Sequence, residues 1–203
     1  MKPKKPVDRR VQRTSQTLQI ALVELIIRHG WDKISVQALC EQANVGRSTF
    51  YTHFADKDEL LMRGFEDLRA GTRALYPPPS PENPKRLAFT RGLIDHANDQ
   101  VRLFRALIGK RSGQIVQKRF LSLVIDLVGE DLAGLAPAGP ALEATVRYVA
   151  GAFVEVLAWW VDSRGVSPVE ADELFHRLTT PVLASAAALP ERKPSLTTAR
   201  TTR

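Results

Sequence analysis

The sequence predicts an all-α protein: a small helix–turn–helix unit followed by a larger helical bundle, about nine helices on the usual length prior. Three observations carry this. Apolar residues recur at steps of three and four through most of the chain, and no convincing period-2 alternation appears. Prolines and several glycines fall between those stretches, where they end helices rather than interrupt them. The segment from Trp31 to Phe65 holds two short helical runs around a tight turn.

The elements follow in order. Leu18, Leu22, Leu25 and His29 share a stripe that Ala21 and Ile26 widen, and Gly30 closes this first helix. Ser35 is an N-cap for a helix over Val36–Gln42, whose buried face is Val36, Leu39 and Cys40. Asn44 tolerates the left-handed backbone of a tight turn, and Val45 points inward. A second short helix runs from Arg47 to Phe54, with Phe50 and Phe54 four apart on the core face. Asp56 caps the next helix, about Lys57–Leu75, and Glu59 is placed to return the bond. Five prolines between Pro77 and Pro84 exclude helix interior and central strand, so this segment reads as a stiff loop.

Leu87, Ile94, Ala97, Val101, Phe104 and Ile108 mark one helical stretch; Val116, Phe120, Val124 and Leu127 mark the next. Leu142, Val146, Val149, Phe153, Val156 and Trp160 alternate steps of four and three, a seam for packing against another helix. Ser167, Pro168 and Glu170 form a helix start with a cap, a proline at N1 and a glutamate at N3. The stripe behind it is Leu174, Leu178, Val182, Ser185 and Leu189, and Pro181 inside it predicts a kink.

Composition narrows the class. Hydrophobic residues are 44% and charged residues 25%, an ordinary globular balance. The lone Cys40 excludes an internal disulfide framework and a cysteine-cluster metal site. The longest uncharged run, Leu178 to Pro190, is too short to span a bilayer, and the basic start carries no apolar stretch of a secretory signal. The expectation is a cytoplasmic protein. The net charge of +7 is unevenly placed. Residues 1–64 hold 11 Lys and Arg against 7 Asp and Glu, residues 65–189 hold 14 of each, and residues 190–203 hold 4 against 1. A basic N-terminal third suits a polyanion partner, although basic tails serving solubility alone would give the same count. The expected organisation is a basic mobile tail at 1–8, a helix–turn–helix domain at 9–65, a helical domain at 66–189, and a second basic mobile tail at 190–203.

The helix–turn–helix carries the chemistry. With Phe50 and Phe54 inside, Arg47, Ser48, Thr49, Tyr51 and His53 occupy the other faces of the second helix, whose N-terminal end is where base edges are read. Arginine prefers guanine O6/N7, and a threonine methyl can touch the thymine methyl. Tyr51 is assigned to a phosphate; His53 is either a reader or a solvated side chain. Ser35 and Gln37 at one helix start, Lys57 at another, and Arg10, Arg13 and Thr14 on the first helix suit phosphate contacts that set register without reading sequence.

The run from Ile34 to Leu60, with Val45, Thr49-Phe50-Tyr51, His53-Phe54, Lys57 and Leu60 at their spacing, closely resembles the DNA-binding signature of the TetR (tetracycline-repressor-type) family. Asn44 stands where that family often has glycine, and Gly46 where it often has a serine cap. The resemblance covers about residues 9–65 and implies a homodimer on a palindromic operator, with the last two long helices of each subunit forming a four-helix interface. It implies repression relieved by a small molecule that tilts the helix after the reading head. The dimer-interface residues expected on this basis are Leu142, Val146, Val149, Phe153, Val156, Trp160, Leu174, Leu178 and Val182. The ligand-contact residues expected are Phe89, Leu93, His96, Phe104 and Trp159.

Blander readings stand beside these. Trp159 and Trp160 face about 100° apart, one toward the seam and the other toward core or pocket, and pure packing serves both equally. His96 is either a ligand contact or a satisfied surface histidine; Arg102 and Arg105 either neutralise an acidic ligand or are exposed. Cys40 is a packing residue rather than a redox sensor. No glycine-rich phosphate loop, nucleophile elbow, zinc-binding helix or recognisable carboxylate pair is present, so neither an enzyme nor a cofactor or metal is expected. An adaptor or co-regulator whose helical domain docks a protein partner is the alternative.

Overall fold

The computed structural model describes residues 9–81, 87–108, 113–135, 138–163 and 165–188. The expected tails at 1–8 and 190–203, and Leu189 at the end of the last stripe, lie outside the described residues. Within them the chain forms nine α-helices and one 3-10 turn, with no strand.

The head is α1 (Arg9–His29), α2 (Val36–Ala43) and α3 (Arg47–His53). Leu18, Ala21, Leu22, Leu25 and Ile26 are the buried side of α1, so the sequence stripe is its core face. Gly30 leaves the helix at φ 76, which glycine reaches without a Cβ penalty. The 3-10 turn Trp31–Lys33 then sets Trp31, 1% exposed, beneath the head.

The body is built around α4 (Lys57–Leu75), α5 (Phe89–Asp99), α6 (Val101–Ile108), α7 (Gly113–Asp131), α8 (Pro140–Asp162) and α9 (Pro168–Ala187). The single helical stretch expected over 87–108 is two helices, because the chain bends at Gln100 (φ −118, ψ 37). At the start of α9 the Glu170 carboxylate accepts from the Ser167 N–H (2.8 Å) and the Glu170 N–H donates to Ser167 Oγ (3.2 Å), the reciprocal box the sequence implies. Pro181 lies inside α9, which runs through it unbroken. All eight phenylalanines are buried. Phe65, Phe104 and Phe120 join α4, α6 and α7; Phe89, Phe153 and Phe175 join α5, α8 and α9.

The α8 seam needs correction. Val149, Phe153 and Trp160 lie in the protomer's own core, and the Trp160 indole N–H donates to the Val166 carbonyl at 2.9 Å. Leu142, Val146, Val156, Leu174 and Val182 are half-buried, and only Leu178 of the expected interface set is exposed (60%). A four-and-three pattern says that a helix packs on helices, not that the partner is another chain; here α7 and α9 take that face. The large apolar side chains that α8 exposes are Tyr148 and Trp159. By length and composition α8 is apolar enough to cross a bilayer, and one side of it is the core just described.

Both ends of α4 are fastened. At its N-terminal end, Lys57 Nζ donates to the carbonyls of Trp31 (3.2 Å) and Ile34 (3.0 Å) and sits 4.4 Å over the Trp31 ring. At the other end, Arg73 pairs with Glu130 (2.8 Å) and with fully buried Asp131 (2.7 Å), donates to the Leu127 carbonyl (2.7 Å), and lies over the Phe89 ring. Arg69 adds a second ion pair to Glu130. The helix therefore ties the head to α7 as a strut.

Candidate nucleic-acid interface

The turn between α2 and α3 is built as its residues require. Ser35 Oγ accepts from the Ala38 N–H (3.1 Å), and its own O–H remains able to donate. Leu39, Cys40 and Ala43 face inward. Asn44 adopts the left-handed conformation (φ 50, ψ 47), and the Val45 N–H returns to the Cys40 carbonyl at 2.9 Å. Gly46 caps α3 with φ −64 and ψ 144, an extended conformation open to any residue, and an added Cβ there would meet Thr49 Oγ1 at 3.7 Å. Glycine is thus tolerated rather than demanded.

Phe50 and Phe54 anchor α3 from below, at 0% and 6% exposure with centroids 5.9 Å apart. That fixes the opposite face. Arg47, Ser48 and Thr49 are exposed, and Tyr51 is 52% exposed with its ring edge-on to Phe50. Thr52 is exposed as well, but its hydroxyl donates to the Ser48 carbonyl (2.9 Å). His53 is half-buried against Phe54. Arg47 and Gln37 line one shallow hollow with Glu41 and Asn44, so the structure brings this reader and this anchor together. Gln37 Nε2 donates to Glu41 Oε1 (2.9 Å), which orients its amide. His53 borders a different hollow, with Val11, Gln12 and Ser15 of α1. Arg13 is exposed and Thr14 half-buried on α1. Arg10 is in α1, and its side chain lies outside what is described.

Two details differ from expectation. The Glu59 carboxylate accepts from the Ala55 N–H (2.6 Å), one residue before the Asp56 cap, while Asp56 accepts from the Glu59 N–H (2.8 Å). Lys57, assigned to a phosphate, spends two of its three donors on the Trp31 and Ile34 carbonyls, so a structural role is added that spacing alone does not show. Cys40 is 5% exposed; burial pushes its thiol pKa up, Arg47 opposing and Glu41 adding to it.

The expected ligand residues separate. His96 and Phe104 border one cavity, whereas Phe89 and Leu93 are fully buried packing residues and Trp159 lies on the outside of α8. Those three are not placed at that cavity, because apolar spacing marks burial but not which buried face adjoins a hollow. The wall that the sequence reading missed comes from α1 and α4, through Leu22, Val23, Leu61, Gly64 and Leu68. Gly64 is a mid-helix glycine on that wall, but Gly71 and Gly151 are mid-helix glycines with as much free space and do not border it, so no residue type marks the wall in the sequence.

Residues 21–63 match the pattern of the bacterial regulatory proteins of the tetR family, the segment that carries α2, the turn and α3. That segment is similar to the tetR-family pattern, and the match is confined to residues 21–63. A curated relative, an uncharacterized HTH-type transcriptional regulator (YxbF) of Bacillus subtilis strain 168, is 38% identical over 58 residues. That match covers 28% of this chain and 15% of the relative, well under two thirds of its length. Among solved structures, the TetR transcriptional regulator of Streptococcus agalactiae 2603V superposes with TM-score 0.63 at 22% identity, covering 85% of this chain and 96% of that one. Native NalD, the secondary repressor of the MexAB-OprM multidrug efflux pump in Pseudomonas aeruginosa, superposes with TM-score 0.56 at 19% identity, covering 84% and 96%. At such identities the likeness is one of fold.

Proposed function

We propose that this chain is a homodimeric, sequence-specific repressor that reads a palindromic operator with α3 and leaves it when a small-molecule effector binds the body. The observation that carries the reading is the two-sided character of α3. Phe50 and Phe54 hold it rigidly, and the face they leave outward presents Arg47, Ser48, Thr49 and Tyr51. A guanidinium gives the bidentate match to guanine; the hydroxyls and phenol suit phosphates and less selective base contacts. Arg13, Ser35, Gln37 and the third Lys57 donor serve as phosphate anchors, with Arg10 assigned there from sequence.

Two further features support it. Tyr148 and Trp159, three helical turns apart on α8, leave large apolar surface on one face, and Leu178 does so on α9. A second copy covering that apolar surface is the proposed partner, and the two α3 helices of the pair would then have to meet half-sites one DNA turn apart. The doubly fastened α4 supplies the lever: a change in its tilt moves the head as a unit and alters the spacing of two heads. NalD is described as a repressor, which is the sign of regulation proposed here.

Site selection from a random duplex pool tests this. The expected product is an inverted repeat, with half-site centres about 34–36 Å apart. Recovery of no common sequence, or of a single half-site bound by a monomer, would overturn it.

A further inference from the structure

From Val101 to Ile125 the chain holds six Lys and Arg and no Asp or Glu. The even balance of charge over the whole body hides this run, because the acids that offset it lie elsewhere in the sequence. Lys110 and Arg111 lie outside the described residues. Arg105 is committed to the body itself, donating to the Val161 carbonyl at 2.9 Å and standing 3.5 Å from Asp162. Arg102 on α6 and Lys118 and Arg119 on α7 are exposed, and none of the three makes an ion pair or hydrogen bond with a described residue. Glu155 shares a surface hollow with Lys118 without reaching ion-pair distance.

The position of Lys118 and Arg119 follows from how α7 lies on α4. The two helices run in the same direction: Phe65 meets Phe120, with centroids 6.4 Å apart, and about two turns further on Arg73 meets Glu130 and Asp131. Followed back toward their starts, the first two turns of α7 come level with the first two turns of α4, where Lys57 holds the Trp31 and Ile34 carbonyls of the head. The 3-10 turn Trp31–Lys33 accordingly touches α7. Lys33 on that turn is exposed, and it lies two residues before Ser35, whose hydroxyl is assigned to a phosphate. Asp32 beside Lys33 leaves the α7 pair as the main source of positive charge at this edge.

We propose that Lys33, Lys118 and Arg119 form a second DNA contact, in which the head-side edge of the body grips the phosphate backbone of the duplex that α3 reads. The inference rests on the regulator reading and adds to it a DNA-binding surface on the body. A duplex seated on α3 carries its backbone past Ser35 and Lys33 toward the start of α7. Each phosphate neutralised there releases condensed counterions, and cations with no internal partner are free to do it. The contact sets affinity and not sequence, since these side chains stand outside the helix that enters the groove.

The test is fluorescence-anisotropy titration over a salt series, on the selected operator and on random duplex, of the wild type and of Lys118→Gln combined with Arg119→Gln. Each lost phosphate contact should lower the slope of log K against log salt by about 0.9, so two per protomer lower it by about 3.6 in a dimer. Affinity should fall at least about tenfold on both duplexes, with the selected inverted repeat unchanged. Lys118→Arg combined with Arg119→Lys keeps the charge and should restore the wild-type slope. Both positions are exposed, so the unfolding midpoints of the two variants should match the wild type's. A wild-type slope in the glutamine pair, a loss confined to the operator, or an equal loss in the charge-keeping pair would overturn the proposal. The two claims fail separately. A selective wild type whose slope the glutamine pair leaves intact would sink the body contact and spare the regulator; a wild type with no sequence preference, whose slope on random duplex still falls in the glutamine pair, would do the reverse.

Discussion

Lys57→Met removes the ammonium that ties α4 to the head and keeps most of the aliphatic stem. Three interactions are lost: donation to the Trp31 carbonyl at 3.2 Å, donation to the Ile34 carbonyl at 3.0 Å, and the cation over the Trp31 ring at 4.4 Å. Hydrogen bonds from a charged group contribute about 1.5–3 kcal/mol each, and an exposed cation–π contact about 0.5–1 kcal/mol. Lys57 is half-buried, so solvent screens part of this, and the contributions share one group and do not add fully. The expected cost is about 2–3 kcal/mol, drawn from the low end of those values. Urea unfolding at fixed protomer concentration measures it, since a dimer's midpoint moves with concentration. Lys33→Met, an exposed lysine on the same turn, is the control and should stay within about 0.5 kcal/mol. If Lys57→Met also stayed within that margin, the strut would be refuted and Lys57 would be a phosphate contact alone.

Other perturbations follow from the same structure. Arg73→Ala removes the guanidinium 2.7 Å from Asp131, which is 0% exposed, and breaking a buried pair in this way should cost about 3–5 kcal/mol by denaturant unfolding; Arg63→Ala, whose partners are exposed, should cost under about 1 kcal/mol. Gly64→Ala should stabilise by about 1 kcal/mol and raise Tm by roughly 2–4 °C, because the helix gains and no atom obstructs the methyl. Gly92→Ala should do the opposite, since its Cβ would meet the Tyr76 ring at 2.7 Å; a shift of the same sign in both would refute the packing argument. Tyr148→Arg with Trp159→Arg should yield a folded monomer in sedimentation equilibrium, and a persisting dimer would move the interface elsewhere.

The folded His96 has its pKa lowered by burial, so the unfolded chain takes up its proton first as pH falls. Its contribution is fully present above the unfolded value near 6.5 and declines as pH drops from there toward the folded pKa. His96→Gln should flatten that part of the stability–pH curve, and an unchanged slope would refute the burial argument.

Much of this was legible in the sequence, and the pattern of success has a physical reason. Caps and turns are local: Ser35, Asn44, Asp56 and the box at Ser167–Glu170 are satisfied by neighbours within a few residues, so the string alone carries the signal. The core face of α3 was equally plain, because two phenylalanines four apart fix the helix's rotation. What failed was partnership at a distance. The stripe on α8 was read as a dimer seam, and the chain uses Val149, Phe153 and Trp160 on itself. Phe89 and Leu93 were assigned to a ligand, and they are core. Lys57 carries no sequence mark of the Trp31 and Ile34 carbonyls it joins. Concavity is harder still, since it depends on which helices leave a gap and no local pattern marks it.

The central claim is that α3 reads a specific operator, with Arg47 taking a base and its neighbours the backbone. Fluorescence-anisotropy titration of wild type and Arg47→Ala on the selected operator and on random duplex, at fixed near-physiological salt, tests it most directly. The account predicts wild-type preference of at least about a thousandfold for the operator. It predicts that Arg47→Ala loses about 1–3 kcal/mol on the operator, relaxes one base pair per half-site and changes random-duplex binding far less. Equal losses on operator and random DNA would make Arg47 a phosphate contact, and no preference in the wild type would contradict the account as a whole.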